Sequence, residues 1–587
     1  MKLHQNRLAQ RANTLIVALM TLAVVGVLVD LAMQYTTSIG RNTQRSLLYR
    51  QAINIGDAST EMAFTSWRAI CRTNQTKVWK RSDLDTEVPT PTPGNFPGVS
   101  QYNLSNYGVY PLDSTWTIKA GGGATPAPIA GPNHGDLSYY YLATADVIIP
   151  TITSKTASNL GSAAAKTDRG NIIARVRRIL QKEQLSLWRY AVFYDDDMEI
   201  HPGPVMNITG DVHTNGNLYT GHDTLTLSGK TTYADGWSIG FMPGDGAHNG
   251  ETPKSPHWAT GLPPASDVAQ EPYGVYLDDY HQLIEYTSSA TDLDPYRFQT
   301  QAGIVVTIDA ANNIKVYKQG GGDITTNSKG TVVKNAITTN QTITDNREGA
   351  TTGNGSIRVA TLDVGALTNA INLNSNNINT VWNGMIYIVD TSADPNGITA
   401  KRAIRLKNGG SLPPGGMTIA SGNPVYVQGD FNTGTIAGVV QPLSNLGDPT
   451  QPTVPGYTRQ PAAIVADAVN ILSNSWVDAN SGTKPVASPT TVNAGIVSGN
   501  VPSANGYYSG GVENFPRFLE NWSNKTFTYY GSMIQLYQSK QAIGRWGANN
   551  VYDAPKRAWY FDDSFVSDPP PGLLAAFNYR KSRWYLE

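Results

Sequence analysis

The chain has 587 residues, room for roughly three or four domains of ordinary size. Its formal net charge of −1 excludes bulk electrostatic attraction to nucleic acid. Charged residues are 15% of the chain, against about 25% in an average soluble domain. Gly (56) and Tyr (30) are plentiful and Phe (12) is not, a balance that fits an extracellular, turn-rich β-protein. The single cysteine, Cys71, excludes an internal disulfide, and its expected role is a small side chain buried against a helix. A long β-protein without such staples must rely on backbone ladders and a continuous core.

Residues 1–12, MKLHQNRLAQRA, form a polar leader whose certain charges are Lys2, Arg7 and Arg11. From Thr14 to Val29 there is no charge, and Asp30 is the first. A run of about 16–20 apolar residues is near the lower limit for a helix that spans a bilayer. Thr14, Leu15, Ile16, Val17, Leu19, Leu22, Val25 and Leu28 are the expected membrane-anchor residues. The basic flank stays on the cytoplasmic side, so the remainder would be carried across the membrane on this tether. A cleaved signal peptide has its small-residue cut site after the apolar core. Here the small residue, Ala12, comes before the core, and the chain then continues in a helical pattern.

That order of leader, small residue, apolar helix and amphipathic helix resembles a type IV prepilin. It most resembles the PilX-like minor pilins and the K-type pseudopilins of type II secretion. The resemblance implies processing by a prepilin peptidase between Ala12 and Asn13, where the family has Gly or, less often, Ala before the cut. Mature position five would be Val17, where major pilins carry a Glu that pairs with the neighbouring subunit's N-terminus. A carboxylate in hydrocarbon is costly unless partnered, so its presence or absence is a functional choice. Val17 points away from a major, polymer-forming subunit and towards one at or near a filament tip.

Apolar residues recur at helical spacing well beyond the anchor, among them Leu47, Leu48, Ile53, Ile55, Phe64, Trp67 and Ile70. Residues 13–78 therefore read as one anchor-and-stalk helix, in which Gly40 and Gly56 would each cost about 1 kcal/mol. Prolines at 89, 91, 93 and 97 make 79–99 a linker. Residues 100–192 read as a small β-domain placed where pilins carry their sheet. Within it Ala174, Val176 and Ile179 are expected to face in, with Arg175, Arg177 and Arg178 as a solvated face. From 193 to 540 the strands shorten to three to five residues, broken by Gly and Asn as at Asn215-Gly216. This texture suggests an irregular, right-handed parallel β-helix-like solenoid. Gly- and Pro-rich insertions are expected at 236–303, with a short helix near 278–287, and at 438–461. Residues 512–524 read as a short capping helix and 541–587 as a C-terminal strap over an exposed end. The fold class is α+β, mostly β.

Read as a strand, Asp195, Asp197 and Glu199 share a face, an oxygen set for Ca²⁺; the alternative is a turn of solvated carboxylates. No other cofactor is expected. His201, His213 and His222 are too far apart for a short metal motif, although adjacent rungs would bring them together. There is no Gly-x-Ser-x-Gly, phosphate loop or dinucleotide fingerprint. Asp278-Asp279 and Asp562-Asp563 are carboxylate pairs of the kind a glycosidase needs, but a β-protein of this size offers such pairs by chance. Tyr139–Tyr141, Tyr507-Tyr508, Tyr529-Tyr530, Trp258, Trp476 and Trp546 offer rings to a sugar or a protein, about half of them expected in the core.

The expected function is a structural one. A minor pilin or pseudopilin would sit in the bacterial inner membrane before assembly, with its C-terminus outside the cytoplasm. It would then join other pilin subunits through the helix, displaying a large extracellular module for adhesion or partner binding. The competing expectation is a membrane-tethered polysaccharide lyase or hydrolase.

Overall fold

The computed structural model describes residues 2–75, 77–92, 95, 102–131, 136–150, 171–248, 250–272, 279–289, 294–435, 453–504, 506–546, 551–572 and 574–587, with backbone alone for residues 2–12 and for Glu271. The chain divides into two compact units. The first comprises Met1–Ile129, Tyr139–Lys182 and Tyr579–Glu587; the second comprises Ala130–Ser138 and Glu183–Asn578.

The first unit is built on helix α1, Lys2–Thr73, an unbroken 72-residue rod about 110 Å long at 1.5 Å per residue. Its two halves have opposite surroundings. Every side chain from Asn13 to Leu47 is exposed, whereas from Ala52 onward each turn buries part of its surface. Ala52 and Ile55 pack with Tyr102, Val147, Ile149, Ile172 and Ala174. Trp67 is fully buried, edge-on to Tyr141 at 5.3 Å and to Tyr579 at 5.9 Å between ring centres. The sheet beneath has Asn103–Pro111 antiparallel to Leu137–Pro150, then Asn171–Ser186, with the short C-terminal strand Tyr585–Leu586 antiparallel to that strand. Cys71 is buried here, and burial, opposed by the charge of Lys182, pushes its thiol up to about 12. That is the inert small residue its sequence setting suggests.

Two local expectations in this unit change. A short helix α2, Arg81–Glu87, occupies the start of the stretch read as linker; Arg81 Nη1 donates to the Val109 carbonyl at 2.7 Å. The arginine face is also different. Ala174 and Val176 are buried as expected, but so are Arg177 and Arg178. Arg177 pairs with Asp146 at 2.7 Å and Glu587 at 2.5 Å, and Arg178 with Asp57 at 2.5 Å and Glu61 at 3.1 Å on α1. The strand is covered by the helix on one face and meets the C-terminal residue on the other. Its guanidinium groups are therefore buried against carboxylates, and only Arg175 stays well exposed.

The second unit is a coil of short parallel strands. Val192–Tyr194, Met198–Ile200 and Met206–Ile208 make one turn, and Val212–Thr214, Asn217–Thr220 and Leu225–Leu227 stack on them in parallel. Thr231–Tyr233, Gly236–Ile239 and His257–Trp258 add a third turn. Val192 aligns with Val212 and Val212 with Thr231, so a turn takes about twenty residues. Two strands of the third turn, Gly236–Ile239 and His257–Trp258, and Ala265–Ser266 after them, lie inside the stretch expected to be an insertion. Up to Ser266 most of the Gly and Pro residues described there sit at corners between rungs, whereas Glu271–Pro272 leaves the coil and pairs antiparallel with Ala576 and Phe577.

From Ser356 the chain again alternates between faces. Met385–Asp390, Met417–Ala420, Ala462–Ala466, Gly495–Asn500 and Met533–Gln538 form one parallel ladder. Ser356–Asp363, Arg402–Lys407, Val425–Gln428, Val469–Leu472 and Pro516–Phe518 form a second. Thr490–Asn493, Thr526–Gly531 and Lys556–Phe561 form a third. Val and Ile fill the interior, and Asn408, Asn432 and Asn524 turn corners in the left-handed region, which Asn tolerates better than most residues. The capping helix expected at 512–524 is instead a rung: a 3₁₀ turn, Val512–Asn514, leads into the strand Pro516–Phe518. Part of the expected strap, Lys556–Phe561, is likewise a rung. The helix expected near 278–287 is a 3₁₀ turn, Tyr280–Leu283; Asp278, and the 438–461 insertion up to residue 452, lie outside the described residues.

The rungs are stacked out of chain order. Met533–Gln538, near the end of the chain, pairs in parallel with Val192–Tyr194, the first rung. The chain thus enters an 11-stranded sheet at its middle and coils outward to Ala265–Ser266. It resumes at the far end at Ile304 and coils back to meet its own start. That far end is closed by the antiparallel hairpin of Ile304–Ile308 and Ile314–Lys318. One apolar core, from Val192 through Ile304 and Ile464 to Trp559, runs through the whole stack.

Candidate functional site

The uncovered half of α1 is the most distinctive surface among the described residues. The uncharged run Thr14–Val29 is about 24 Å long, and Leu31–Met33 extend it towards the roughly 30 Å of a bilayer's hydrocarbon. Val17 is 62% and Leu22 74% exposed, and Leu15, Ile16, Leu19, Val25 and Leu28 are exposed with them. By length and composition this helix can cross a membrane. Its polar side chains are compatible with that solvent. The Thr21 hydroxyl donates to the Val17 carbonyl at 2.7 Å, and Thr36, Thr37 and Thr43 bond back one turn in the same way. The first charge, Asp30, accepts from Gln34 at 2.9 Å. Asn13 lies on the same continuous helix; the side chain of Ala12 lies outside the described residues.

The carboxylates at 195–199 do not share a strand face. Tyr194 ends one strand and Met198 begins the next, so Asp195–Asp197 form the corner between two faces of the coil. Asp195, Asp196 and Asp197 line a cleft of about 510 Å³ with Asp235. Each is held by an amide: Asn215 donates to Asp195 at 2.7 Å, Gln535 to Asp196 at 3.0 Å, and the Asn217 side chain to Asp197 at 3.0 Å. Burial, opposed by the Asn215 bond, raises the Asp195 carboxyl to about 6. Glu199 leaves this group altogether. It is buried, accepts from Ser503 and from the Gly511 amide, and is pushed up to about 8 by burial.

The other sequence candidates separate in the same manner. Asp562 takes a bidentate pair of bonds from Arg459 at 2.6 and 2.7 Å, and Asp279 pairs with Lys540 at 2.7 Å. Tyr141, Tyr508, Tyr529 and Trp476 are core residues, while Tyr507 is 45% exposed under the Arg545 guanidinium. His213 is buried between Thr232 at 2.8 Å and Asn215 at 3.0 Å, stacked on Tyr190 and Phe193. His201 and His222 do come together, beside His248, which the sequence reading had not singled out.

No protein-family model matches the chain, and no curated protein matches it. Among solved structures it is similar to the competence-associated pilin ComZ from Thermus thermophilus. The alignment covers 90% of this chain and 98% of that one at 11% sequence identity and a TM-score of 0.24. A likeness that slight carries no argument about fold or role.

Proposed function

We propose that this chain is a pilin-type membrane and filament component whose work is done by the two-faced helix α1. The observation that carries the reading is the change of surroundings along one unbroken rod. Residues 13–47 are uncovered and apolar at their start, while the second half is clamped to an antiparallel sheet. An apolar helix surface of this size is tolerated only in hydrocarbon or against other apolar helices. The inner membrane supplies the first before assembly, and sister subunits supply the second. Processing by a prepilin peptidase between Ala12 and Asn13 would expose the helix N-terminus for assembly. Val17 at the fifth mature position would suit a rare or terminal subunit of the PilX-like or pseudopilin kind. The coil in the second unit would then be displayed outside the cell for adhesion or partner binding.

A structural rather than catalytic role is supported by the commitment of the candidate carboxylates to amide and arginine partners. The test is shearing of surface filaments from cells that make the native chain, followed by immunoblotting. The protein should co-sediment with sheared filaments, and deletion of Thr14–Val29 should release it from both membrane and filament. A full-length protein that is never found with filaments contradicts the proposal.

A further inference from the structure

Three histidines arrive at one corner of the coil from three successive turns. His201 follows the strand Met198–Ile200, and His222 follows Asn217–Thr220, where Ile200 pairs with Thr220. The next strand, Gly236–Ile239, pairs with that one and leads into the loop that carries His248. The ring centres lie 5.2 Å apart for His222 and His248, 5.5 Å for His201 and His248, and 6.0 Å for His201 and His222. Two imidazoles on one tetrahedral ion have ring centres about 5 Å apart, given metal–nitrogen distances of about 2.0–2.1 Å. The donor atoms of His222, His248 and Glu251 already lie within 4.8 Å of one another.

Two further features fit a ligand. His201 is 2% exposed, yet neither of its ring nitrogens has a hydrogen-bond partner among the described residues. An unsatisfied buried polar atom is destabilising, so a ring with two of them calls for an explanation. His248 shows the complementary feature: its Nδ1 is held by Asp245 at 2.5 Å, which leaves Nε2 directed elsewhere. A carboxylate on the outer nitrogen is the usual support of a ligating imidazole. Phe241 stacks flat on His248 at 4.5 Å and meets His201 edge-on at 5.0 Å, keeping the rings in place and partly dry.

We propose that His201, His222, His248 and Glu251 form a binding site for a divalent transition metal of the zinc class, with Asp245 orienting His248. Three imidazoles and one carboxylate suit zinc and its neighbours, whereas calcium takes six to eight oxygens. Glu251, half exposed and 3.8 Å from His222 Nε2, can close the remaining gap by side-chain rotation. A metal here would pin His248 and Glu251 to the rungs that carry His201 and His222, the stapling that a chain without disulfides otherwise lacks.

The test uses the full chain in detergent, stripped with chelator and dialysed against Zn²⁺, with Ca²⁺ as a parallel arm. The expected result is about one Zn²⁺ per chain, a tetrahedral visible spectrum with Co²⁺, and no Ca²⁺ at the same site. His222→Ala and His248→Ala should weaken Zn²⁺ binding about tenfold or more. Glu251→Gln, a surface change that leaves the fold intact, should weaken binding and alter the Co²⁺ spectrum. His257→Ala, an exposed histidine outside the proposed ligand set, should do neither. Absence of stoichiometric Zn²⁺ binding by the native chain overturns the proposal. So does binding that Glu251→Gln and His222→Ala leave unchanged in variants of native circular dichroism.

Discussion

Gly56 of α1 and Val176 of the sheet approach so closely that a Cβ on Gly56 would lie 2.9 Å from Val176 Cβ, and nearer still to its Cγ2. The glycine that weakens the helix locally is what allows the stalk to lie flat on the sheet. Gly56→Ala should gain about 1 kcal/mol of helix propensity and lose about 1–3 kcal/mol to overpacking. The net effect is a lower denaturation midpoint. Adding Val176→Ala to that variant should recover part of the loss, and the double-mutant cycle reads the coupling directly.

A second prediction concerns the buried charges of the coil. Glu348 accepts from Lys401 and Arg517, each at 3.1 Å, and from the Gly544 amide at 2.8 Å, and all three charged side chains are nearly inaccessible. Glu348→Ala strands two buried cations and should cost about 3–5 kcal/mol. Chemical denaturation should show this as a large fall in midpoint, whereas Asp309→Ala, at a half-buried carboxylate bonded within its own turn, should lower it far less.

The pH dependence of the coil should report His281. Its Nδ1 meets Glu285 and its Nε2 meets Asp467, both at 2.8 Å, so each ring nitrogen faces a carboxylate. Burial alone would lower this histidine, but the bonds to Asp467 and Glu285 outweigh it and raise the ring to about 9. Because the folded value lies above the unfolded one, near 6.5, the stabilisation is complete below that pH and is lost as pH rises towards 9. Between pH 7 and 9 the native chain should lose up to about 1.4 kcal/mol per pH unit from this group. Subtracting the melting curves of His281→Gln should isolate the loss. A native chain and variant with parallel profiles would refute the assignment.

Leu22→Asp separates anchoring from folding. The side chain is 74% exposed and supports no packing, so the thermal melt should not change. A charge at the centre of a spanning helix costs about 2.5–3.5 kcal/mol on insertion scales. Fractionation should therefore show the variant moving from membrane to soluble fractions while the melt stays at the native temperature.

The sequence made some of this legible and concealed the rest for physical reasons. The helix was readable because Thr14–Val29 lacks charge and Leu47 to Ile70 keeps helical spacing, both local signals. The parallel coil was readable from short Val- and Ile-rich strands broken by Gly and Asn. Its stacking order was not, because the pairing of Val192–Tyr194 with Met533–Gln538 joins residues far apart in the chain and leaves no local trace. Pro516–Phe518 does not show as a strand in the sequence because a three-residue rung is too short to reveal a period. Arg177 and Arg178 look like surface until Glu587, Asp57 and Glu61 are brought to them. Asp195, Asp197 and Glu199 alternate in sequence, but a corner at 195–197 breaks the alternation in space. Nothing in GDGAHNGE marks His248 until three turns of coil are stacked.

The most direct measurement is the N-terminal sequence and intact mass of the protein recovered from native membranes and filaments. The account predicts a mature chain that keeps Thr14 to Met33, beginning at Asn13 if the prepilin-type cut is made. A mature protein that begins well beyond Met33, with the apolar half of α1 removed, would contradict it.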